Sequence, residues 1–112
     1  MDTKYRVRFG RLGEDFAIGL LRDMGYVILA RNYRCYQGEI DVIARRGQVI
    51  HFIEVKTRFG SGNGRPEEAV TDKKQKAMRS AAKYFMSRVG SDEYDVVFDV
   101  MAIEVAFIEN CL

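Results

Sequence analysis

The chain has 112 residues, the length of one small domain (residues 1–112), and its 47% apolar content is ordinary for a globular protein. The net charge of +2 is too small to indicate nucleic-acid binding by the chain as a whole. No apolar run approaches the roughly 20 residues of a membrane span, the N-terminal residues lack a signal-peptide core, and the cysteines have no histidine cluster for zinc. We therefore expect a cytoplasmic domain with free thiols and no membrane partner.

The first predicted element is a helix over about residues 6–24, ended by Gly25. At about 100° per residue, its apolar side chains form a broad arc that consists of Phe9, Leu12, Phe16, Ala17, Leu20, Leu21 and Met24. Glu14 projects at the flank of this arc. Its position fits either a surface glutamate or a carboxylate that leans over the sheet toward acidic residues farther along the chain.

Three strands are predicted next, one over residues 26–33 and two in a hairpin over residues 38–58. Short turns join them, so we expect an antiparallel meander packed on the first helix. We predict that Arg46-Gly47 is the two-residue loop of the hairpin.

Four charged residues interrupt the apolar strands of the hairpin: Glu39, Asp41, Glu54 and Lys56. A carboxylate in a strand interior needs a partner, a metal ion or a proton. Residues two apart share a face, and a loop at Arg46-Gly47 would place Glu39 opposite Glu54, so all four are expected on one patch. A surface ladder of ion pairs among Glu39, Glu54 and Lys56 is the structural alternative.

A glycine-rich segment over residues 59–65 follows, and Pro66 is expected to open a second helix that runs to about Arg88. The GxxxxGK[ST] pattern of a phosphate-binding loop is absent, so we expect a mobile loop beside the site. Lys74 falls within the apolar stripe of this helix. It either extends to solvent or reaches the acidic patch or a phosphate.

A strand over residues 96–103 is expected in the centre of the sheet because it is dense in apolar residues, and residues 107–112 are predicted as a short edge strand. The predicted fold is an α/β domain with the order helix, three strands, helix, strand, and a mixed sheet of four to five strands. The histidine at position 51 faces away from Glu54 and Lys56 by strand alternation, which argues against histidine-based chemistry.

The acidic patch contains the groups needed to hydrolyse a phosphodiester. Asp41, Glu54 and the backbone carbonyl of Val55 are oxygen ligands of the kind that suits Mg²⁺, with Mn²⁺ as the alternative ion. A metal ion there would lower the pKa of a bound water and polarise a phosphoryl oxygen. Lys56 could orient that water or balance charge on the phosphate.

The arrangement Asp41-(x12)-Glu54-Val55-Lys56 resembles the (P)D…(D/E)xK signature of restriction-endonuclease-like nucleases, with Ile40 where proline is common. Along nearly its full length the chain also resembles the YraN-like family of predicted nucleases. The segments that carry the resemblance are Gly10-x-x-Gly13-Glu14, residues 30–34, 38–41, 52–58 and 66–70, Lys74, and residues 98–100.

That family is similar to archaeal Holliday-junction resolvases, which place a glutamate of the first helix near the metal site. The resemblance implies a restriction-endonuclease-like core in which Asp41, Glu54, Lys56 and Glu14 are catalytic, with Glu39 as an extra acid near the metal. It further implies a Mg²⁺-dependent DNA endonuclease for branched or single-stranded DNA, and resolvase relatives suggest a homodimer.

Basic residues from the hairpin through the second helix permit a nucleic-acid-binding face. The residues expected to contact phosphates are Arg31, Arg58, Arg65 and Lys74. Two alternatives remain open. One is a nucleic-acid-binding module that kept the site without turnover, and the other is a nuclease acting on RNA, since the same chemistry cuts RNA.

Overall fold

The computed structural model describes residues 3–60, 70–90 and 92–112. In these residues the chain folds, in order, into α1 (Thr3–Asp23), β1 (Val27–Cys35), β2 (Gly38–Arg46), β3 (Val49–Phe59), α2 (Asp72–Val89) and β4 (Asp95–Val105). The strands form one mixed sheet in the order β1-β2-β3-β4, in which only the β3–β4 pair is parallel. The predicted α/β order is confirmed, and it is consistent with a restriction-endonuclease-like core.

The two helices cover opposite faces of the sheet, because neighbouring residues of β2 and β3 alternate between two separate core clusters. The α1 side of the core contains Ala17, Ile18, Leu21, Val42, Ala44, Ile53 and Val55. The α2 side contains Ile40, Ile43, Ile50, Phe52, Ala81 and Ala82. The two central strands are therefore buried on both faces, which explains why they are nearly continuous apolar runs.

Only part of the predicted apolar arc of α1 is buried. Ala17 and Leu21 lie in the core, whereas Leu12 and Phe16 are each 59% exposed. The helix begins three residues before the predicted start and ends at Asp23, and Gly25 follows with φ of 92°. In the part of the chain that the structure describes, neither helix combines the length and the apolar character needed to cross a membrane.

The β2–β3 loop is Gly47-Gln48, one residue later than predicted, because Arg46 pairs with Val49. The glycine has φ of 61°, and a positive φ at the first loop position is what a type II′ turn requires. Glycine adopts that conformation without steric cost, whereas arginine at the same position would be strained. Each residue of β2 therefore faces a residue of β3 that is two positions later than predicted, so Glu39 does not lie opposite Glu54.

The prediction that Glu39 shares a face with Glu54 fails for a second reason, because β2 changes face at Asp41, while Asp41 itself stays next to Glu54. Regular alternation would put Ile40 and Val42 on one face, yet Ile40 packs under α2 and Val42 packs under α1. On the adjacent strand, Asn32 has φ of 52°, a left-handed conformation that asparagine tolerates better than most residues. Irregular backbone on both strands marks this part of the sheet.

The second helix begins at Asp72, with Thr71 as its N-cap, and ends before Gly90, whose φ of 71° terminates it. The predicted start of this helix at Pro66 lies outside the described residues, as do residues 61–65 of the predicted glycine-rich loop over residues 59–65.

The fourth strand lies at the edge of the sheet and not at its centre, because β3 is its only neighbour among the described strands. Its apolar density does not reflect burial on both faces, since Val96 and Val97 are exposed. The sequence left open whether the sheet has four or five strands; a fifth strand over residues 107–112 is not formed, and these residues contain only a turn. The sheet therefore has four strands in the described part of the chain.

A close contact between α1 and β3 fixes the position of α1 over the sheet. A Cβ atom added at Gly13 would lie 2.0 Å from Oγ1 of Thr57. The helix can approach the strand at this distance only because glycine has no side chain. The contact positions Glu14, the next residue of the helix, beside the irregular part of the sheet.

Gly13→Ala is expected to destabilise the protein by about 1–3 kcal/mol, the usual range for forcing an extra carbon into a packed contact. Alanine gains about 1 kcal/mol over glycine in a helix interior, so the clash with Thr57 has to outweigh that gain. Gly10→Ala and Gly19→Ala are matched controls, because an added Cβ meets no heavy atom within 4 Å at either position. Urea denaturation measures the free energy of unfolding of all three variants. A Gly13→Ala variant as stable as the controls would contradict the close contact.

Candidate active site

Asp41 lies where β2 and β3 separate. Their backbone pairing ends at Val42 and Ile53, and the Oδ2 atom of Asp41 then accepts a hydrogen bond of 2.8 Å from the backbone N–H of Val55. In a continuing antiparallel pair, a backbone carbonyl of β2 would have satisfied this donor. The Asp41 side chain therefore takes the place of the missing backbone acceptor, and this hydrogen bond holds it between the two faces of the sheet.

Glu54 is the next residue of β3 after that pairing ends, and it points toward α2. Its side chain alternates with Ile53 and Val55, which both pack on the α1 side. Glu54 is 5% exposed and is the one buried charged residue among those that the structure describes. A carboxylate in such a position requires a partner.

Lys74 is that partner. Its Nζ atom forms an ion pair with Oε1 of Glu54, and 43% of the lysine side chain remains exposed. Of the two alternatives that the sequence left open for this lysine, the structure therefore supports the contact with the acidic residues. Lys74 keeps access to solvent at the same time, because almost half of its side chain is exposed.

The two partners have raised pKa values for different reasons. Burial raises the pKa of Glu54, the hydrogen bond from Lys74 lowers it, and the charge of Asp41 raises it again, so the net direction is upward. Burial alone would lower the pKa of Lys74, but the hydrogen bond to Glu54 and the charges of Glu54, Asp41 and Glu39 outweigh it. Lys74 therefore stays charged, while burial disfavours the ionised form of Glu54.

Glu14 approaches Asp41 from the α1 side. Its Oε1 atom is buried and has no hydrogen-bond partner in the described part of the chain. Burial raises the pKa of Glu14, the charges of Asp41, Asp15 and Glu39 raise it further, and Arg31 lowers it. The structure therefore supports the interpretation in which Glu14 leans over the sheet, and not the one in which it is a surface glutamate.

Asp41 is the residue that connects the two other acids. Its negative charge raises the pKa of Glu14 on one face of the sheet and of Glu54 on the other. In residues 3–60, 70–90 and 92–112, no three His, Cys, Asp or Glu side chains lie close enough together to hold a metal ion. The acids instead meet in two pairs that share Asp41, and each pair contains a repulsion that a cation would relieve.

The other predicted site residues lie around these acids. Glu39 is exposed and forms an ion pair of 3.3 Å with Arg34 of the neighbouring strand. Lys56 is half-buried and has no hydrogen-bond or ion-pair partner within the described residues, and it is not among the charges that shift the pKa values of the acids. The structure thus brings Glu14, Asp41, Glu54 and Lys74 together more closely than it brings Lys56 to them.

The predicted phosphate-binding arginines differ in their positions. Arg31 forms an ion pair with Asp15 of α1 and lowers the pKa of Glu14, so it is a neighbour of the acids. Arg58 is half-buried near the end of β3. Arg65 lies outside the described residues.

Thr71 has a role in the site that was not predicted from the sequence. Its side chain accepts a hydrogen bond of 3.2 Å from the backbone N–H of Lys74, which starts α2 at a defined residue. This cap places Lys74 in the first turn of the helix, from which its side chain reaches Glu54. A threonine followed directly by an aspartate is a recognisable helix start and could have identified it.

The histidine at position 51 does not belong to this group of residues, as the alternation of β3 predicted. Its Nδ1 atom lies 2.6 Å from Oδ2 of Asp99. Its ring packs edge-on against Tyr26, with centroids 4.9 Å apart.

Comparison with known proteins shows extensive similarity to one family. A family profile described as "Uncharacterised protein family UPF0102" matches residues 13–103. A UPF0102 protein of Clostridium perfringens is 43% identical over 100 residues, which are 89% of this chain and 82% of that protein. A UPF0102 protein of Moorella thermoacetica is 45% identical over 101 residues, 90% of this chain and 84% of that protein. A UPF0102 protein of Chloroherpeton thalassium is 46% identical over 97 residues, 87% of this chain and 75% of that protein.

Glu14→Gln is expected to raise the free energy of unfolding at neutral pH and to reduce its dependence on pH. The pKa of Glu14 is raised in the folded protein, so above its ordinary value the folded state binds more protons than the unfolded chain. The free energy of unfolding therefore falls as pH rises through that window, and glutamine, which cannot ionise, removes this contribution. Urea titrations from about pH 4 to about pH 8 measure it.

The exposed glutamate Glu109 provides the control, because Glu109→Gln changes the same chemical group away from the sheet. A Glu14→Gln variant with the stability and the pH slope of the wild type would show that Glu14 does not face Asp41.

Proposed function

The chain belongs to the UPF0102 family, and from the geometry of its acidic residues we propose that it is a metal-dependent endonuclease that hydrolyses phosphodiester bonds in DNA. One observation carries the proposal: Asp41 meets Glu54 and Glu14 where β2 and β3 separate, with the backbone of Val55 in direct contact. Acids in such an arrangement are unfavourable without a cation, and a cation beside them is a catalyst for phosphoryl transfer.

The residues present fit a hard divalent cation. Asp41, Glu54 and the carbonyl of Val55 would hold it, since Mg²⁺ binds oxygen ligands, uses one or two protein carboxylates and keeps several waters. The buried Oε1 atom of Glu14 without a partner is the independent observation in favour of a positive charge here. Mn²⁺ takes the same donors and is the alternative ion.

When bound, the ion would supply a water of lowered pKa and would stabilise the negative charge on the phosphate. Asp41 is held by the Val55 amide before any ligand arrives, so little reorganisation is needed at that carboxylate. Lys56, which has no ion-pair partner among the described residues, would orient the attacking water. Glu14, with its raised pKa, would accept or release a proton from the α1 side.

The proposed substrate is branched or single-stranded DNA in repair, recombination or DNA processing in the cytoplasm. The support is the resemblance to Holliday-junction resolvases, which also suggests a homodimer as the active form. Arg31, Arg58, Arg65 and Lys74 would contact the phosphates. RNA is the alternative substrate, because phosphodiester chemistry at such a site does not itself distinguish the two nucleic acids.

A second candidate function is a nucleic-acid-binding module without turnover. The observation that favours it is the ion pair between Lys74 and Glu54, in which a lysine already neutralises a carboxylate of the proposed metal site. Such a module would lose affinity for DNA steeply as salt concentration rises, without any metal-dependent cleavage.

Asp41→Asn and Lys56→Met are each expected to lower the cleavage rate by about 100-fold or more, the usual effect of removing one group that stabilises the transition state. The assay is cleavage of branched, nicked, single-stranded and duplex DNA, and of matching RNA, by purified protein with Mg²⁺ or Mn²⁺. Lys83→Met, which changes an exposed lysine of α2, is the control and should leave the rate unchanged.

Circular dichroism of each variant separates loss of activity from loss of folding. Cleavage at the wild-type rate by either variant would contradict the catalytic role proposed for that residue. Absence of cleavage on every substrate, together with salt-dependent DNA binding, would favour the second candidate.

A further inference from the structure

The Nζ atom of Lys74 already lies among the acids of the proposed metal site. It contacts Oε1 of Glu54, and its charge also interacts with Asp41 and Glu39. The hydrogen bond from its backbone N–H to Thr71 fixes it in the first turn of α2, directly above Glu54.

The ion pair is required when no metal ion is bound. Glu54 is 5% exposed, and a buried carboxylate without a counter-charge is strongly destabilising. Lys74 is the one cation that forms an ion pair with Glu54 within the described residues. The metal-free fold therefore depends on this lysine to neutralise the acid.

Lys74 and a divalent cation are not compatible at full contact with Glu54. The lysine charge and a doubly charged ion would then share one carboxylate, and like charges in such contact repel strongly even at the effective dielectric constant of a protein surface. The lysine side chain can move away from Glu54 into solvent, because 43% of it is exposed and its stem is flexible. Glu54 cannot move in this way, since it is buried within a central strand of the sheet.

We propose that Lys74 is a displaceable internal counter-ion, which holds the cation position at Glu54 in the metal-free protein and leaves it when the divalent cation binds. The proposal rests on the metal site of the proposed function. It assigns Lys74 two successive positions: on Glu54 without the ion, and toward solvent, where a substrate phosphate would lie, with the ion.

The opposite arrangement predicts a different result. If Lys74 stayed on Oε1 and oriented Glu54 for the ion, removing the lysine would weaken metal binding. If the ion displaces Lys74, removing the lysine strengthens metal binding, because the ion no longer competes with it.

Lys74→Met tests this, since methionine keeps most of the stem and removes the charge. In EDTA the Tm of this variant is expected to fall by several degrees, because Glu54 loses its counter-ion. Its affinity for Mn²⁺, measured by calorimetry, is expected to rise about tenfold or more. The gain in Tm on addition of Mn²⁺ should exceed that of the wild type. Lys76→Met, on the same helix and exposed, is the matched control and should match the wild type in all three measurements.

Lys74→Arg provides a second variant that keeps the charge and guards against unfolding of Lys74→Met in EDTA. It is expected to keep wild-type stability in EDTA and to bind Mn²⁺ more weakly than Lys74→Met. Equal or weaker Mn²⁺ binding by Lys74→Met than by the wild type would overturn the displacement and leave the metal site standing. Absence of Mn²⁺ binding by the wild type, Lys74→Met and Lys76→Met alike would overturn both the metal site and the displacement.

Discussion

The hydrogen bond from the Val55 amide to the Asp41 carboxylate is the constraint on which the rest of the structure depends. The acids can meet only where β2 and β3 part, yet parting leaves a backbone donor of a central strand without its partner. Asp41 satisfies that donor with one oxygen while its charge stays next to Glu14 and Glu54. The same side chain therefore completes the sheet and forms the centre of the proposed site.

Much of this architecture follows from local sequence patterns. The apolar runs of β2 and β3 indicate strands, and the carboxylates within them stand out because a strand interior is a costly place for charge. Alternation along β3 also correctly separates His51 from Glu54. These inferences hold because each depends only on residues that are neighbours in the chain.

Other features depend on tertiary structure and could not be predicted from the sequence. Alternation assumes an uninterrupted strand, so it cannot detect the change of face between Ile40 and Val42. Helical spacing left the direction of Glu14 open, since that direction follows from the close approach of Gly13 to Thr57. The apolar density of β4 fits a central strand and an edge strand equally well. In each case a contact between distant segments decides the outcome.

Because β3 is buried on both faces, the proposed site forms only when both helices pack on the sheet. Glu14 arrives with α1 on one face and Lys74 with α2 on the other, while the strands between them supply Asp41 and Glu54. Neither helix can complete the arrangement alone. If only one helix has packed on the sheet, the set of acids is incomplete, so the proposed site forms only when the whole domain folds cooperatively.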